Sequence, residues 1–243
     1  MKKSQKRFFV VIGKRPIRGF SKTRLAKELG EERSFCLYDA FIKDFFKNLE
    51  LIQRTGGFLK RNLGNIELFV TPSEKQSIAY FEDILTKLDL DHFRIRFQVK
   101  KKFFERLKLV FKEINLENDS SFIHLTGTDI PDFPFHFLDQ RFFHDLQTED
   151  VIIGPDDDGG FYYLGMNSKF YDLFENIDSL VLDNESVSQV LINQCKKIGL
   201  RVRLMEKWSD IDTLLDLKKC IKRGNNHKIE NTLRVCKDKG INL

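Results

Sequence analysis

Three stretches of this 243-residue chain gather side chains able to do chemistry. The first, Gly13 to Leu25, sets Lys14, Arg15, Arg18, Lys22 and Arg24 among Gly13, Pro16 and Gly19, directly after an apolar run. Five cations on a glycine-bearing loop suit phosphate, because backbone N–H groups and the start of a following helix already favour anions beyond the carboxyl end of a strand. A nucleoside-triphosphate P-loop is excluded. It needs four residues between its glycines and a Lys directly after the second, whereas five separate Gly13 from Gly19 and Phe20-Ser21 precede Lys22. The bland alternative is a basic loop that is simply solvated.

The second stretch is Gly127-Thr128-Asp129-Ile130-Pro131-Asp132, again closing an apolar run. Hard cations such as Mg2+ take carboxylate and phosphate oxygens together, so an Asp here can bridge a metal to a diphosphate; equally, Asp129 can cap a turn before Pro131. The third comprises two acidic loops, Asp156-Asp157-Asp158-Gly159-Gly160 and Asp210-Ile211-Asp212-Thr213. Consecutive carboxylates need solvent, a cation or a base to offset their repulsion. Asp-Gly also fits a hairpin turn, and Asp212-Thr213 fits a helix N-cap. His124 lies in an apolar run and reads as a packed core residue.

Charge is distributed to match. The net +5 is an average: residues 1 to 27 carry ten bases and no acid, and residues 114 to 185 carry sixteen acids against Arg141 and Lys169. A cationic start and an acidic middle suggest a phosphate pocket facing a cation site. Nucleic-acid binding would need an extended basic surface with interleaved aromatics, which the acidic middle opposes. The apolar run Phe8 to Ile12 is far below the ~20 residues of a membrane span, so the expected location is the cytoplasm, with no membrane span. Cys36, Cys195, Cys220 and Cys236 are scattered without metal or disulfide spacing, so inert thiols are expected.

The elements that must hold these stretches follow from periodicity. Arg7 to Gly13 reads as a buried strand, Glu31 to Arg54 as a helix with apolar residues at three- and four-residue steps, and Ile66 to Val70 as a strand ended by Pro72. Ser73 is a plausible N-cap for a helix over 74–88. Phe93 to Val99 alternates as a strand can, and Lys101 to Ile114 has helical spacing with a solvated basic face. Then come a strand at Phe122 to Leu125, a helix over Phe133 to Leu146, strands at Val151 to Ile153 and Phe161 to Met166, a helix over Val187 to Ile198, a strand at Arg201 to Met205 and a helix over Thr213 to Ile221. Such alternation implies a mainly parallel sheet covered on both faces. One domain over 1–223 is expected, with a polar C-terminal tail over 224–243, helical or frayed.

In order along the chain, the three stretches resemble a bacterial family of GT-A-like transferases, often assigned as glycosyltransferases and in part linked to arsenosugar biosynthesis. Its pattern Lys-x-Pro-x-x-Gly-x-x-Lys-Thr-Arg-Leu is met by Lys14, Pro16, Gly19, Lys22, Thr23, Arg24 and Leu25, with Arg18 where Pro is usual. Gly127 to Asp132 meets Gly-Ser/Thr-Asp-x-Pro-Asp. Gly154, Pro155, Asp158, Gly159, Gly160, Phe161 and Tyr162 meet Gly-Pro-x-x-Asp-Gly-Gly-Tyr/Phe-Tyr, and Asp210, Asp212, Thr213, Asp216 and Leu217 meet a late Asp-x-Asp-Thr then Asp-Leu. The family's Trp-Ser-Thr segment is replaced by Leu180-Val181-Leu182-Asp183-Asn184.

The resemblance implies a single-domain α/β, nucleotide-diphospho-sugar transferase fold with a mostly parallel mixed sheet between helices. It implies a nucleotide across the first loop, with Gly13, Lys14, Arg15, Gly19, Lys22 and Arg24 as phosphate-binding positions. It also implies Mg2+ or Mn2+ on Asp129 and Asp212, Lys22 adding charge at the same place, and Asp158 as a base or acceptor-orienting residue. The leading expectation is a metal-dependent transferase moving a sugar from a nucleotide sugar to a small-molecule acceptor. The alternative is a nucleotidyltransferase that joins a nucleoside triphosphate to a phosphorylated small molecule and releases pyrophosphate.

Overall fold

A computed structural model describes residues 6–55, 65–90, 92–138, 149–175, 177–180 and 186–242. The strands are β1 (Arg7–Lys14), β2 (Asn65–Thr71), β3 (Arg94–Phe97), β4 (Phe122–Gly127), β5 (Val151–Pro155), β6 (Phe161–Asn167) and β7 (Val202–Leu204). They form one sheet in the order β3-β2-β1-β4-β6-β5-β7, in which only β6 runs antiparallel to its neighbours. The helices are α1 (Thr23–Leu29), α2 (Glu31–Arg54), α3 (Lys75–Lys87), α4 (Phe103–Asn118), α5 (Ile177–Leu180), α6 (Val187–Lys197), α7 (Leu214–Lys222) and α8 (Glu230–Asp238), joined by 3-10 turns at Phe135–Leu138, Ser168–Phe174 and Asn226–Lys228.

Two cores, one on each face of the sheet, follow from side-chain alternation along the strands. Phe9 and Val11 of β1 face a core shared with α2, α3, α7 and α8, and Phe8 and Val10 face one shared with α4, α6 and the Ser168–Phe174 turn. Ile152 divides from Val151 and Ile153 in the same way. The continuous apolar runs of the sequence are therefore strands buried on both faces. Many of the phenylalanines are core material: Phe45, for example, packs edge-on to Phe46 and Phe133 at 5.3 and 6.0 Å. His124 is fully buried, its Nδ1 2.6 Å from the Tyr163 hydroxyl, and burial lowers its pKa to about 3. It is a neutral core residue.

Several expectations change in detail. Ser73 does not cap α3, whose N-cap is Glu74; the Ser73 hydroxyl instead donates to the Gln98 carbonyl. In β3 the alternation is inverted, with Arg96 buried and Phe97 exposed, because Arg96 turns in to meet Glu67 at 2.7 Å and Glu117 at 2.6 Å. After Pro131 the described chain makes only the Phe135–Leu138 turn, and residues 139–148 of the expected Phe133 to Leu146 helix lie outside the described residues. The Leu180 to Asn184 segment also falls largely outside them.

Of the two alternatives for the C-terminal segment, the helical one holds, and the segment is built into the first core. Ile229, Cys236 and Ile241 are buried there, and Asp44 of α2 accepts the backbone N–H groups of Asn231 (2.9 Å) and Thr232 (2.8 Å) together with their side chains (2.8 and 2.7 Å). An acid from one helix thus satisfies orphan donors at the start of another. Asp44→Ala should lower unfolding free energy by about 2–4 kcal/mol in urea titrations, because four hydrogen bonds are lost and buried donors are left unpaired. A loss below ~0.5 kcal/mol would mean that α8 is docked by its apolar face alone.

Candidate active site

The carboxyl ends of β1, β4 and β5 open onto a cleft of about 490 Å³, whose walls include Lys14, Lys22, Asp129, Asp158 and Asp212. From β1 the chain leaves towards β2 on one side and lies against β4 on the other, the switch point where open α/β sheets place their ligands.

Four segments meet at this edge, and local chemistry explains each. Gly127 ends β4, and a Cβ there would stand 2.6 Å from Asp129 Oδ1, so glycine is what lets Asp129 fold back over the strand end. Segment 205–212 runs beside β5, with Met205 N donating to the Ile153 carbonyl (2.9 Å) and Trp208 N to that of Pro155 (3.3 Å); Ile211 N then bonds the Asp129 carbonyl at 3.2 Å. Ile211 is buried, so Asp210 and Asp212 on either side share the opposite face. Thr213 caps α7 in a reciprocal capping box with Asp216. Thr213 thus takes the N-cap role, and Asp212 beside it lines the cleft.

Lys22 completes the group. It sits in the left-handed region (φ 48°, ψ 52°), unfavourable for a side chain with a Cβ. Its carbonyl is held by Ala26 N at 2.9 Å and by the Ser34 hydroxyl at 3.0 Å. This turn brings Nζ to Asp212 at 2.5 Å, Asp129 at 2.9 Å and Asp210 at 3.4 Å, with the Lys22 side chain only 7 % exposed. Burial opposes its charge, but the three carboxylates outweigh burial and hold its pKa well above the usual lysine range.

The carboxylates do not share this equally. Burial opposes ionisation of Asp212, but Lys22 and then Arg24, which pairs closely with it, bring its pKa below the ordinary value. Asp210 goes the other way: burial first, then Asp129, push it up to about 8, with Lys22 pulling it partly back. Asp156, 7 % exposed and hydrogen-bonded to Asp210, is raised by burial and by Asp158. Asp210 therefore holds its proton to higher pH than an ordinary aspartate. Oxygens of Asp129, Asp210 and Asp212 lie within 4.8 Å of one another, three hard donors of the kind Mg2+ or Mn2+ takes.

Other expected site residues divide. Lys14 lines the cleft, its Nζ donating to the Phe20 carbonyl at 2.6 Å. Arg24 stands 3.6 Å from Asp158, which is 55 % exposed at the cleft. Arg15 turns away to Glu74 at 3.1 Å and Ser77 at 3.4 Å, because α3 offers it a carboxylate, so it is not brought to the cleft. Arg18 pairs with Glu32. Gly13 and Gly19 serve the backbone: a Cβ at Gly13 would strike Phe81 at 2.6 Å, and Gly19 turns with φ +75°. Asp132 of the second motif is structural; it binds Arg223 at 2.8 and 2.9 Å while that guanidinium lies 4.6 Å over Trp208. Asp157 pairs outward with Lys219 at 3.2 Å.

Sequence reasoning set Asp156 and Asp210 in its acidic loops but gave neither a role, and it missed Arg106, which leaves the solvated face expected of α4 and enters the cleft.

With the geometry in view, this sheet order and edge-on cleft define the nucleotide-diphospho-sugar transferase fold. The crystal structure of a protein from Desulfovibrio desulfuricans G20, provisionally assigned as a nucleotide-diphospho-sugar transferase, superposes with TM-score 0.75 at 24% identity, covering 97% of this chain and 96% of that one. The inositol-1-phosphate CTP transferase from T. maritima gives TM-score 0.47 at 12% identity (97% and 98% covered). A 4-diphosphocytidyl-2C-methyl-D-erythritol synthase gives 0.49 at 10% (89% and 97%). The chain belongs to the DUF2064 family, described as an uncharacterized protein conserved in bacteria, which matches residues 57–179 and so takes in the Gly127 and Gly154 motifs. No curated protein matches the chain.

The raised Asp210 has a consequence for stability. Its folded pKa of about 8 exceeds the unfolded value of 3.8, so the folded state binds more protons between them and stability falls as pH rises through that window. Asp210→Asn, compared with wild type in chelator by thermal melting, should gain stability relative to wild type as pH rises, from under ~1 kcal/mol at pH 4 to several kcal/mol, on the order of 5, at pH 8. Equal stability at both pH values would show that Asp210 titrates normally.

Proposed function

We propose that the protein is a metal-dependent transferase that takes a nucleotide-activated sugar, passes the sugar to a small acceptor and releases nucleoside diphosphate. The observation that carries this reading is the convergence of Asp129, Asp210 and Asp212 on the Lys22 ammonium at the mouth of the cleft. Three oxygens so arranged fit a hard divalent cation, and Asp129, Asp210 and Asp212 would hold it. Bound there, the cation would act as a Lewis acid towards phosphate oxygens.

The remaining chemistry belongs to the chain. Lys22 and Arg24 are charge-matched to the aspartates at rest, and a diphosphate competes for both, so substrate binding exchanges one set of ion pairs for another. Asp158, open to the cleft, accepts the proton of the acceptor hydroxyl as that oxygen bonds the anomeric carbon. The bond from that carbon to the phosphate oxygen breaks, and its electron pair leaves on the diphosphate. No helix among the described residues is long and apolar enough to cross a membrane.

Nucleotidyl transfer is the second reading. Lys22 and Arg24 beside the same aspartates suit a departing pyrophosphate as well as a nucleoside diphosphate. Incubation with Mn2+ and either nucleotide sugars or nucleoside triphosphates plus sugar phosphates, followed by chromatography, should yield nucleoside diphosphate. Asp129→Asn should reduce its release by at least ~100-fold, as expected when charge stabilisation in the transition state is removed. Pyrophosphate released from a triphosphate would overturn sugar transfer in favour of the second reading.

A further inference from the structure

Arg106 differs from the other cations near the cleft. It projects from the second turn of α4, where Nη1 donates to Gln98 Oε1 at 3.1 Å. Gln98 is 2 % exposed, and its own amide donates to the Phe69 carbonyl at 2.8 Å, which fixes the orientation that presents oxygen to the arginine. The Phe103 ring lies 5.6 Å from the guanidinium and shares the cleft wall. Among the described residues no carboxylate lies within ion-pair distance of Arg106, and its Nε is buried with no hydrogen-bond partner. Burial lowers its pKa accordingly.

Lys14 faces the same cleft, donates to a carbonyl rather than a carboxylate, and is destabilised in its charged form by burial and then by Arg106 and Lys22. Lys22 has carboxylate partners in Asp129 and Asp212; Lys14 and Arg106 have none among the described residues. Two like charges lining one cleft, Arg106 half-buried and Lys14 exposed, repel one another, and an anion between them relieves that repulsion. A guanidinium fork and a point-charge ammonium lining one cleft are donors of the kind that phosphate takes well.

We propose that Lys14 and Arg106 form an anion subsite that grips a phosphoryl group beside the Asp129/Asp210/Asp212 centre, with Gln98 as the residue that positions Arg106. The identity of the phosphoryl group as part of a transferase substrate rests on the function proposed above; the anion site itself does not. Its source is either the nucleotide's own phosphate or a phosphate ester on the second substrate.

Calorimetric titration of the full chain with inorganic phosphate, in chelator and at constant ionic strength, tests this. Wild type should bind phosphate, and Arg106→Gln and Lys14→Gln should each weaken binding by about tenfold or more, as for loss of a charge-assisted hydrogen bond. Arg106→Lys, which keeps the charge and loses the fork, should fall between, and Arg201→Gln, an exposed cation paired with Asp150, should match wild type. Repeating the titration with saturating nucleoside diphosphate and Mn2+ separates the sources: phosphate that no longer binds assigns the subsite to the nucleotide, and phosphate that still binds assigns it to a second substrate. Equal phosphate affinity in wild type and Arg106→Gln overturns the proposal. So does a wild type that ignores phosphate while binding nucleoside diphosphate with Mn2+. Phosphate binding lost in Arg106→Gln, with no metal-dependent nucleotide binding in any variant, leaves the subsite standing and removes the transferase reading.

Discussion

Everything at the cleft depends on one electrostatic constraint: three carboxylates brought within hydrogen-bond reach of a single buried ammonium. Without Lys22, the charges of Asp129 and Asp212 would face each other with little solvent between them, and Asp210 would be harder still to ionise. With it, the group is satisfied but not at rest. Burial and neighbouring carboxylates make Asp210 and Asp156 reluctant to ionise, and Lys22 occupies a backbone conformation that a side chain with a Cβ disfavours. Such a cluster responds to any cation or phosphate that offers better partners.

The fold supplies this constraint by bringing four distant segments to one sheet edge. The β1 loop contributes Lys22, the β4 loop Asp129, the β5–β6 hairpin Asp156, and the segment before α7 contributes Asp210 and Asp212. Small features hold these in register: glycine at 127, the Ile211 bond to the Asp129 carbonyl, and the Thr213–Asp216 box. Asp132 and Arg223 clamp the far side of the same segment against Trp208.

Much of this was legible in the chain. Strands buried on both faces announce themselves as continuous apolar runs, and the helical periodicity of α2 gives its limits at Glu31 and Arg54. The basic loop, the Asp129 turn and the Asp212 cap were each readable alone as ordinary local structure; their order along the chain joined them. What stayed hidden required tertiary partners. Arg15 reads like Lys14 until α3 presents Glu74, and Arg96 reads as an exposed strand residue until Glu67 stands opposite. Arg106 reads as one of many cations on a solvated face, and its entry into the cleft depends on Gln98 across a strand-to-helix turn. The polar composition after Gly224 concealed a helix whose start is capped by an acid more than 180 positions earlier.

Anomalous diffraction from crystals grown with Mn2+ and a nucleoside diphosphate tests the account most directly. It predicts a manganese peak among the carboxylates of Asp129, Asp210 and Asp212, with the Lys22 ammonium withdrawn from them onto the diphosphate. A bound nucleotide with no manganese at those aspartates and Lys22 still seated among them would contradict it.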